Sequence, residues 1–185
     1  MHDEQSVGAG RKRRPPQPLD DAALRDLALA YAARFATTRA KLLRYLARKL
    51  KERGWAGAQP VDAEALADRL VSLGYVDDAA YAVMKGRAMA ARGLGRRRVV
   101  ETLAAAGVAP DDRGEAPDDA AALATAIAFA RRKRLGPFAR AMSDDPAIRQ
   151  KAMAAMLRAG HGLDAARRVL TARTPEEAES LPDQL

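Results

Sequence analysis

From residue 19 onward, apolar residues recur three and four positions apart, the spacing of helices that each bury one face. Leu24, Leu27, Ala28, Tyr31 and Phe35 share one such face. Leu42, Leu43, Leu46 and Leu50 share the next, behind Thr37 or Thr38 as N-cap and ahead of Gly54 as a stop. Trp55 follows in a Gly-rich loop, where it reads as a lid over a small core rather than an anchor for a partner. Asp62 caps a third run of Leu66, Leu70 and Leu73, which ends at Gly74. The pattern then restarts. Asp77 or Asp78 opens a helix carrying Tyr81, Met84, Ala88 and Ala91, broken by Gly93 and Gly95. The next holds Val99, Val100 and Leu103 and ends at Gly107. Residues 109–119 contain Pro110, Gly114 and Pro117 and predict an irregular or short link. A long helix from about Asp119 carries Leu123, Ile127 and Phe129 as far as Gly136-Pro137. Asp145-Pro146 starts another, with Ile148, Met153, Met156 and Leu157 before Gly160, and the last holds Leu163, Val169 and Leu170.

These helices align with one another. Thr38-Arg39-Ala40-Lys41-Leu42 matches Gly95-Arg96-Arg97-Arg98-Val99 at a shift of 57 residues, which sets Leu46 on Leu103. Gly107 matches Gly160 at a shift of 53, which sets Leu103 on Met156. Three weak copies of a three-helix unit emerge, each too small to bury its own apolar stripe, so the units are expected to stack. Helices of about 12 residues are roughly 18 Å long and pack roughly 8–10 Å apart. The expected fold is therefore all-α, an elongated curved array of three tandem three-helix repeats, better shaped for a groove than for enclosing a substrate. Its expected parts are a disordered basic arm over 1–18, repeats over 19–75, 76–117 and 118–173, and an acidic tail over 174–185, solvated like the arm.

Composition agrees with an all-helical chain: 48% of residues are hydrophobic but only 4% aromatic. The net charge of +8 points to an anionic partner, unless the arginines only solvate an alanine-rich surface. The positive charge is clustered. Residues 34–53 hold eight Lys or Arg against the single acid Glu52. Lys85, Arg87, Arg92, Arg96, Arg97 and Arg98 form a second group, and Arg131, Arg132, Lys133 and Arg134 a third, with Arg140 beyond. If the units stack alike, the clusters align into a stripe that neutralises phosphates with little base discrimination. Arg96, Arg97 and Arg98 are adjacent, fan around a helix and cannot all face one ligand. Arg11, Lys12, Arg13 and Arg14 in the arm can touch phosphate or simply be solvated. Tyr45 is the main aromatic among the clusters, so base stacking is weakly supported.

Catalytic constellations are missing. With no cysteine there is no disulfide, zinc-thiolate site or thiol nucleophile, which fits a reducing cytoplasm. No apolar run reaches a membrane span, and Pro15, Pro16 and Pro18 follow the basic arm where a secretory signal needs an apolar core. His2 and His161 have no triad partners, and His161, just past Gly160, reads as a helix-end residue. No phosphate-binding glycine loop is present; Gly93-Leu94-Gly95 lacks the third glycine and the preceding strand. Asp77-Asp78 and Asp111-Asp112 are better explained as a cap and a polar link than as metal or acid–base sites. No enzyme, cofactor or metal is expected.

The run Leu70, Gly74, Tyr75, Val76, Asp77, Asp78, Tyr81, Ala82 resembles a segment of the RecX-type regulators of RecA, and so does the spacing Gly95, Val99, Leu103, Gly107, Val108. Upstream, Thr38 to Leu46 resembles a family helix, with Lys41 in place of the usual acid, and Arg131 to Phe138 resembles a downstream family feature. The resemblance covers roughly residues 20–171 and marks Gly74, Tyr75, Asp77, Asp78, Tyr81, Gly95, Leu103 and Gly107 as structural. It implies three tandem three-helix repeats and a cytoplasmic protein that binds in the groove of the RecA filament on single-stranded DNA. It further implies inhibition of RecA's ATP hydrolysis, strand exchange and co-protease activity toward the SOS repressor, and thus control of recombination and DNA repair. The candidate contacts to RecA or DNA are Lys85, Arg87, Arg92, Arg96, Arg97, Arg98, Arg131, Arg132, Lys133 and Arg134. A monomer is expected, with DNA bound non-specifically and no membrane. The alternative is a helical DNA-binding protein or transcription regulator without a RecA role. It lacks a clear recognition helix pairing Asn or Gln with arginine.

Overall fold

The computed structural model describes residues 17–141 and 145–185. The expected basic arm, with Arg11 to Arg14, lies outside the described residues except for Gln17 and Pro18. The described residues form nine α-helices and no sheet; a single parallel bridge joins Leu19 to Trp55.

The first unit contains α1 (Asp21–Arg34), α2 (Arg39–Arg53) and α3 (Ala63–Ser72). Each starts where an oxygen of Asp20, Thr38 or Asp62 accepts a backbone N–H three residues on, satisfying a donor that has no partner within the helix. Leu24, Ala28, Leu42, Leu46, Ala67 and Leu70 meet in its core with Leu19 and Val76. Trp55 packs half-buried against this core and donates from Nε1 to the Gln59 carbonyl at 2.8 Å. Tyr31 and Tyr45 stack at 4.2 Å between α1 and α2, so the main aromatic of the basic clusters spends a ring face inside the fold.

The second unit is smaller: α4 (Asp78–Ala90), α5 (Arg96–Ala105) and a single 3-10 turn, Pro110–Arg113, in the stretch expected to be irregular. Its core is Tyr81, Ala82, Leu103, Ala106 and Val108. The inward face of α4 differs from the expected one. Tyr81, Ala82 and Met89 are buried, within about 100° of one another around the axis, while Met84 is half exposed and Ala88 and Ala91 lie outside. With no third helix to cover a wider stripe, only that narrow one finds partners.

The third unit has α6 (Asp119–Lys133), a 3-10 turn Gly136–Phe138, α7 (Pro146–Arg158) and α8 (Leu163–Thr171) around Leu123, Ile127, Phe129, Met156 and Val169. Phe35, Ile148 and Leu163, all at inward spacing, are instead half exposed. The acidic segment 174–185 is not a solvated tail. Thr174 caps α9 (Pro175–Glu179), Ala178 is fully buried, Leu181 packs on the third core, and Arg131 bonds Glu179. Its acids face water, but Ala178 and Leu181 between them supply an apolar edge.

The units meet at two junctions built at aligned positions. At the first, the Thr38 hydroxyl donates to the Ala106 carbonyl at 2.6 Å, and Gly107 presses on Ala40 where a Cβ would overlap it. At the second, Gly95 donates its N–H to the Ala159 carbonyl at 2.9 Å and Arg97 its N–H to Gly160 at 3.2 Å. A Cβ on Gly95 or Gly160 would overlap the backbone opposite, and Gly160 (φ +92°) also ends α7 in the left-handed conformation.

Beside the second junction His161 is buried, 5.4 Å from the Phe129 ring, with Nε2 3.0 Å from the Gly93 carbonyl. A carbonyl only accepts, so Nε2 carries the proton. Burial pushes the imidazole below its ordinary value of 6.5, against the opposing effect of the Gly93 bond. The unfolded chain therefore takes up the proton first as pH falls. This contribution to stability is complete above 6.5 and is lost below it, until the folded imidazole also protonates. Thermal unfolding should show the midpoint falling between about pH 7.5 and about pH 5.5, with a shallower fall in His161→Gln. Parallel profiles would assign the slope to other groups.

Candidate functional site

Some cations of a basic chain can be spent on its own backbone and acids, and the ten candidates divide on this point. Arg96 reaches from the first turn of α5 to the carbonyls of Glu115 at 2.5 Å and Gly114 at 3.1 Å, clamping the loop after the 3-10 turn. Arg97 donates to the Leu157 carbonyl of the next unit and lies 3.7 Å from Glu101. Arg98 pairs with Glu101 at 3.3 Å. Arg131, on the last turns of α6, bonds Glu179 and covers the Phe138 ring. These four are held by the fold.

The other six have no ion pair with any described residue. Lys85 is half-buried on α4, Arg87 is exposed on α4, and Arg92 is exposed just past its end. Arg132 is exposed, with its guanidinium 5.8 Å from the centre of the Phe129 ring. Lys133 ends α6, and Arg134 follows at φ 54°, in the left-handed position that glycine fills at other helix ends. Cations at a helix C-terminus also answer the negative end of its dipole, so part of this cluster stabilises α6 itself.

The large cluster over 34–53, by contrast, is mostly internal. Arg39 bonds Asp68 and Glu64, both at 2.6 Å, and the Arg39 hydrogen bond holds the Asp68 carboxyl below its usual range. Arg44 donates to the Ala105 and Ala106 carbonyls across the first junction, Arg48 and Lys49 pair with Glu52, and Arg53 donates to Gln17. Lys41 donates to the Tyr81 hydroxyl at 2.5 Å and sits 4.4 Å from its ring. The phenol oxygen accepts the ammonium proton, so this lysine is held between the first and second units.

Among the motif residues, Asp77 caps α4 through the Ala80 N–H at 2.7 Å. Asp78 does something the sequence pattern did not signal: its carboxylate accepts the Arg39 N–H at 2.8 Å, capping α2 of the preceding unit. Tyr81 and Leu103 are core, Gly95 and Gly107 are junction contacts, and Gly74 ends α3 at φ +74°. Tyr75 is 56% exposed and lies beside the exposed Leu73, so its place in the motif is not explained by the core. No group of three or more His or acidic residues able to hold a metal occurs among the described residues, and no described helix is long and apolar enough to cross a membrane. Thr38, Arg44 and His161 escaped sequence reasoning as junction residues; their bonds join positions 61 to 68 apart and leave no local pattern.

No family model matches the chain. It is similar to the regulatory protein RecX of Myxococcus xanthus (strain DK1622), 31% identical over 184 residues, which span 91% of this chain and 97% of that protein.

The division of cations is measurable. Arg97→Ala removes a charged bond between units and should cost about 1 kcal/mol, a midpoint lower by about 2–4 °C for a chain of this size. Arg92→Ala should stay within about 0.5 kcal/mol of the parent. Equal losses in the two variants would refute the division.

Proposed function

The chain belongs to the RecX family of RecA regulators, and we propose that it binds along the RecA filament on single-stranded DNA and suppresses RecA's ATP hydrolysis, strand exchange and co-protease activity toward the SOS repressor. The observation that carries this reading beyond family membership is the set of cations on the second and third units, Lys85, Arg87, Arg92, Arg132, Lys133 and Arg134, that no described carboxylate neutralises. Two aligned junctions support an extended array of tandem three-helix repeats, which would present these charges along its length.

In this reading the protein acts by occupancy. Individually weak contacts to adjacent RecA subunits and nearby phosphates add because they are tethered in one chain. A chain lying across neighbouring subunits resists the rearrangements that accompany ATP turnover and covers the groove into which a second DNA strand or a repressor must enter. Contacts of this kind go to phosphates and discriminate little between bases, and the stacked Tyr31–Tyr45 pair leaves few aromatic faces for base recognition. The protein works in the cytoplasm as a monomer and performs no chemistry.

Adding the chain to RecA on single-stranded DNA should slow ATP hydrolysis at substoichiometric amounts; an unchanged rate at equimolar protein rejects the reading. Replacing Arg92, Lys133 and Arg134 together by Ala should weaken binding to single-stranded DNA of any sequence. It should also lower the dependence of log K on log salt by roughly 2, at about 0.7 per lost phosphate contact. An unchanged slope would remove these three residues from the polyanion surface.

A further inference from the structure

Where the second unit meets the third, α4, the start of α5, the loop after the 3-10 turn and the first turns of α6 surround an open groove of about 400 Å³. Its walls are apolar, with Val83, Leu94 and Val99 on one side and Ala121 and Ala122 on the other. Its rim is cationic. Arg87 has no ion pair with a described residue, and Arg96 is fixed by the carbonyls of Gly114 and Glu115. Arg113 is fixed by two bonds to the Val108 carbonyl, at 2.9 and 3.0 Å. Bonds to neutral carbonyls hold the last two guanidinium groups in place without cancelling their charge. The one acid of the lining is Glu115.

We propose that this groove docks an acidic, amphipathic segment of a RecA protomer, with apolar side chains against the alanine and valine walls and carboxylates on the arginine rim. The proposal rests on the reading above and names the protein contact within it. Charge complementarity selects the occupant: three arginines face one glutamate, and a guanidinium fork matches a carboxylate in two parallel bonds. The groove is sized for a few side chains and not for a whole helix. A nucleic acid fits poorly, because bases need aromatic faces and the only aromatic ring in the lining is His161, held by the Gly93 carbonyl.

Ala121 is exposed and stands three residues after the N-cap Asp118 of α6, a position where glutamate favours a helix. Ala121→Glu therefore places a repelling carboxylate in the groove without unfolding it, and Val83→Glu, on the half-exposed opposite wall, repeats the test from α4. Binding of the full chain is measured by anisotropy to single-stranded DNA alone and to RecA filaments on the same DNA held by a non-hydrolysable ATP analogue. Both variants should bind filaments at least about tenfold more weakly, with affinity for bare DNA and the thermal midpoint unchanged, and Ala121→Ser should bind as the parent does. Filament binding equal to the parent's in both glutamate variants overturns the groove proposal alone. A parallel loss on bare DNA also overturns it, in favour of a nucleic-acid occupant. A parent chain that ignores RecA filaments overturns the reading of function, and the groove proposal falls with it.

Discussion

Two helices can hydrogen-bond through their backbones only where small residues at the contact let those backbones come close. That constraint organises this molecule. Gly95 and Gly160 bring the start of α5 against the end of α7, and the Ala159 and Gly160 carbonyls, which a helix end leaves without partners, are satisfied by N–H groups of the neighbouring unit. At the aligned place between the first and second units, Gly107 makes room for Ala40 and a threonine hydroxyl replaces the backbone donor. Polar groups that would otherwise need water become the joints, and three modest cores are linked without a large shared interior.

Such joints make heavy use of arginine. Arg44, Arg96 and Arg97 all donate to main-chain carbonyls, and Arg39 closes α2 onto α3 through two acids. Much of the positive charge therefore works as mortar, and density of charge along the sequence is a poor guide to what faces outward. The largest cluster, over 34–53, is the most thoroughly consumed. In the cluster on α4 and beyond, Lys85, Arg87 and Arg92 form no ion pair with a described residue, while Arg96, Arg97 and Arg98 are engaged.

The helices themselves were legible because their signals are local. Asp62, Asp77 and Asp145 cap helices as their positions imply, and Gly54, Gly74, Gly107 and Gly160 end them. Which face turns inward was less legible. Met84, Ile148 and Leu163 have the spacing of core residues, yet each stays about half exposed. The fates of Arg39, Arg44 and Arg131, the folding of 174–185 onto α6 and the buried His161 depend on partners far along the chain, and no short window of sequence contains both members of such a pair. The groove between the second and third units was invisible for the same reason: its walls come from stretches separated by tens of residues.

The cap on α2 carries a temporal implication. Thr38 and Arg39 find their acceptors in Ala106 and Asp78, residues of the following unit. A ribosome delivers the chain from its N-terminus, so the first trio of helices emerges before the groups that complete it exist. Vectorial synthesis thus leaves the first bundle with an open seam, closed only when the next stretch arrives and docks, and each segment acts as the latch for the one translated before it.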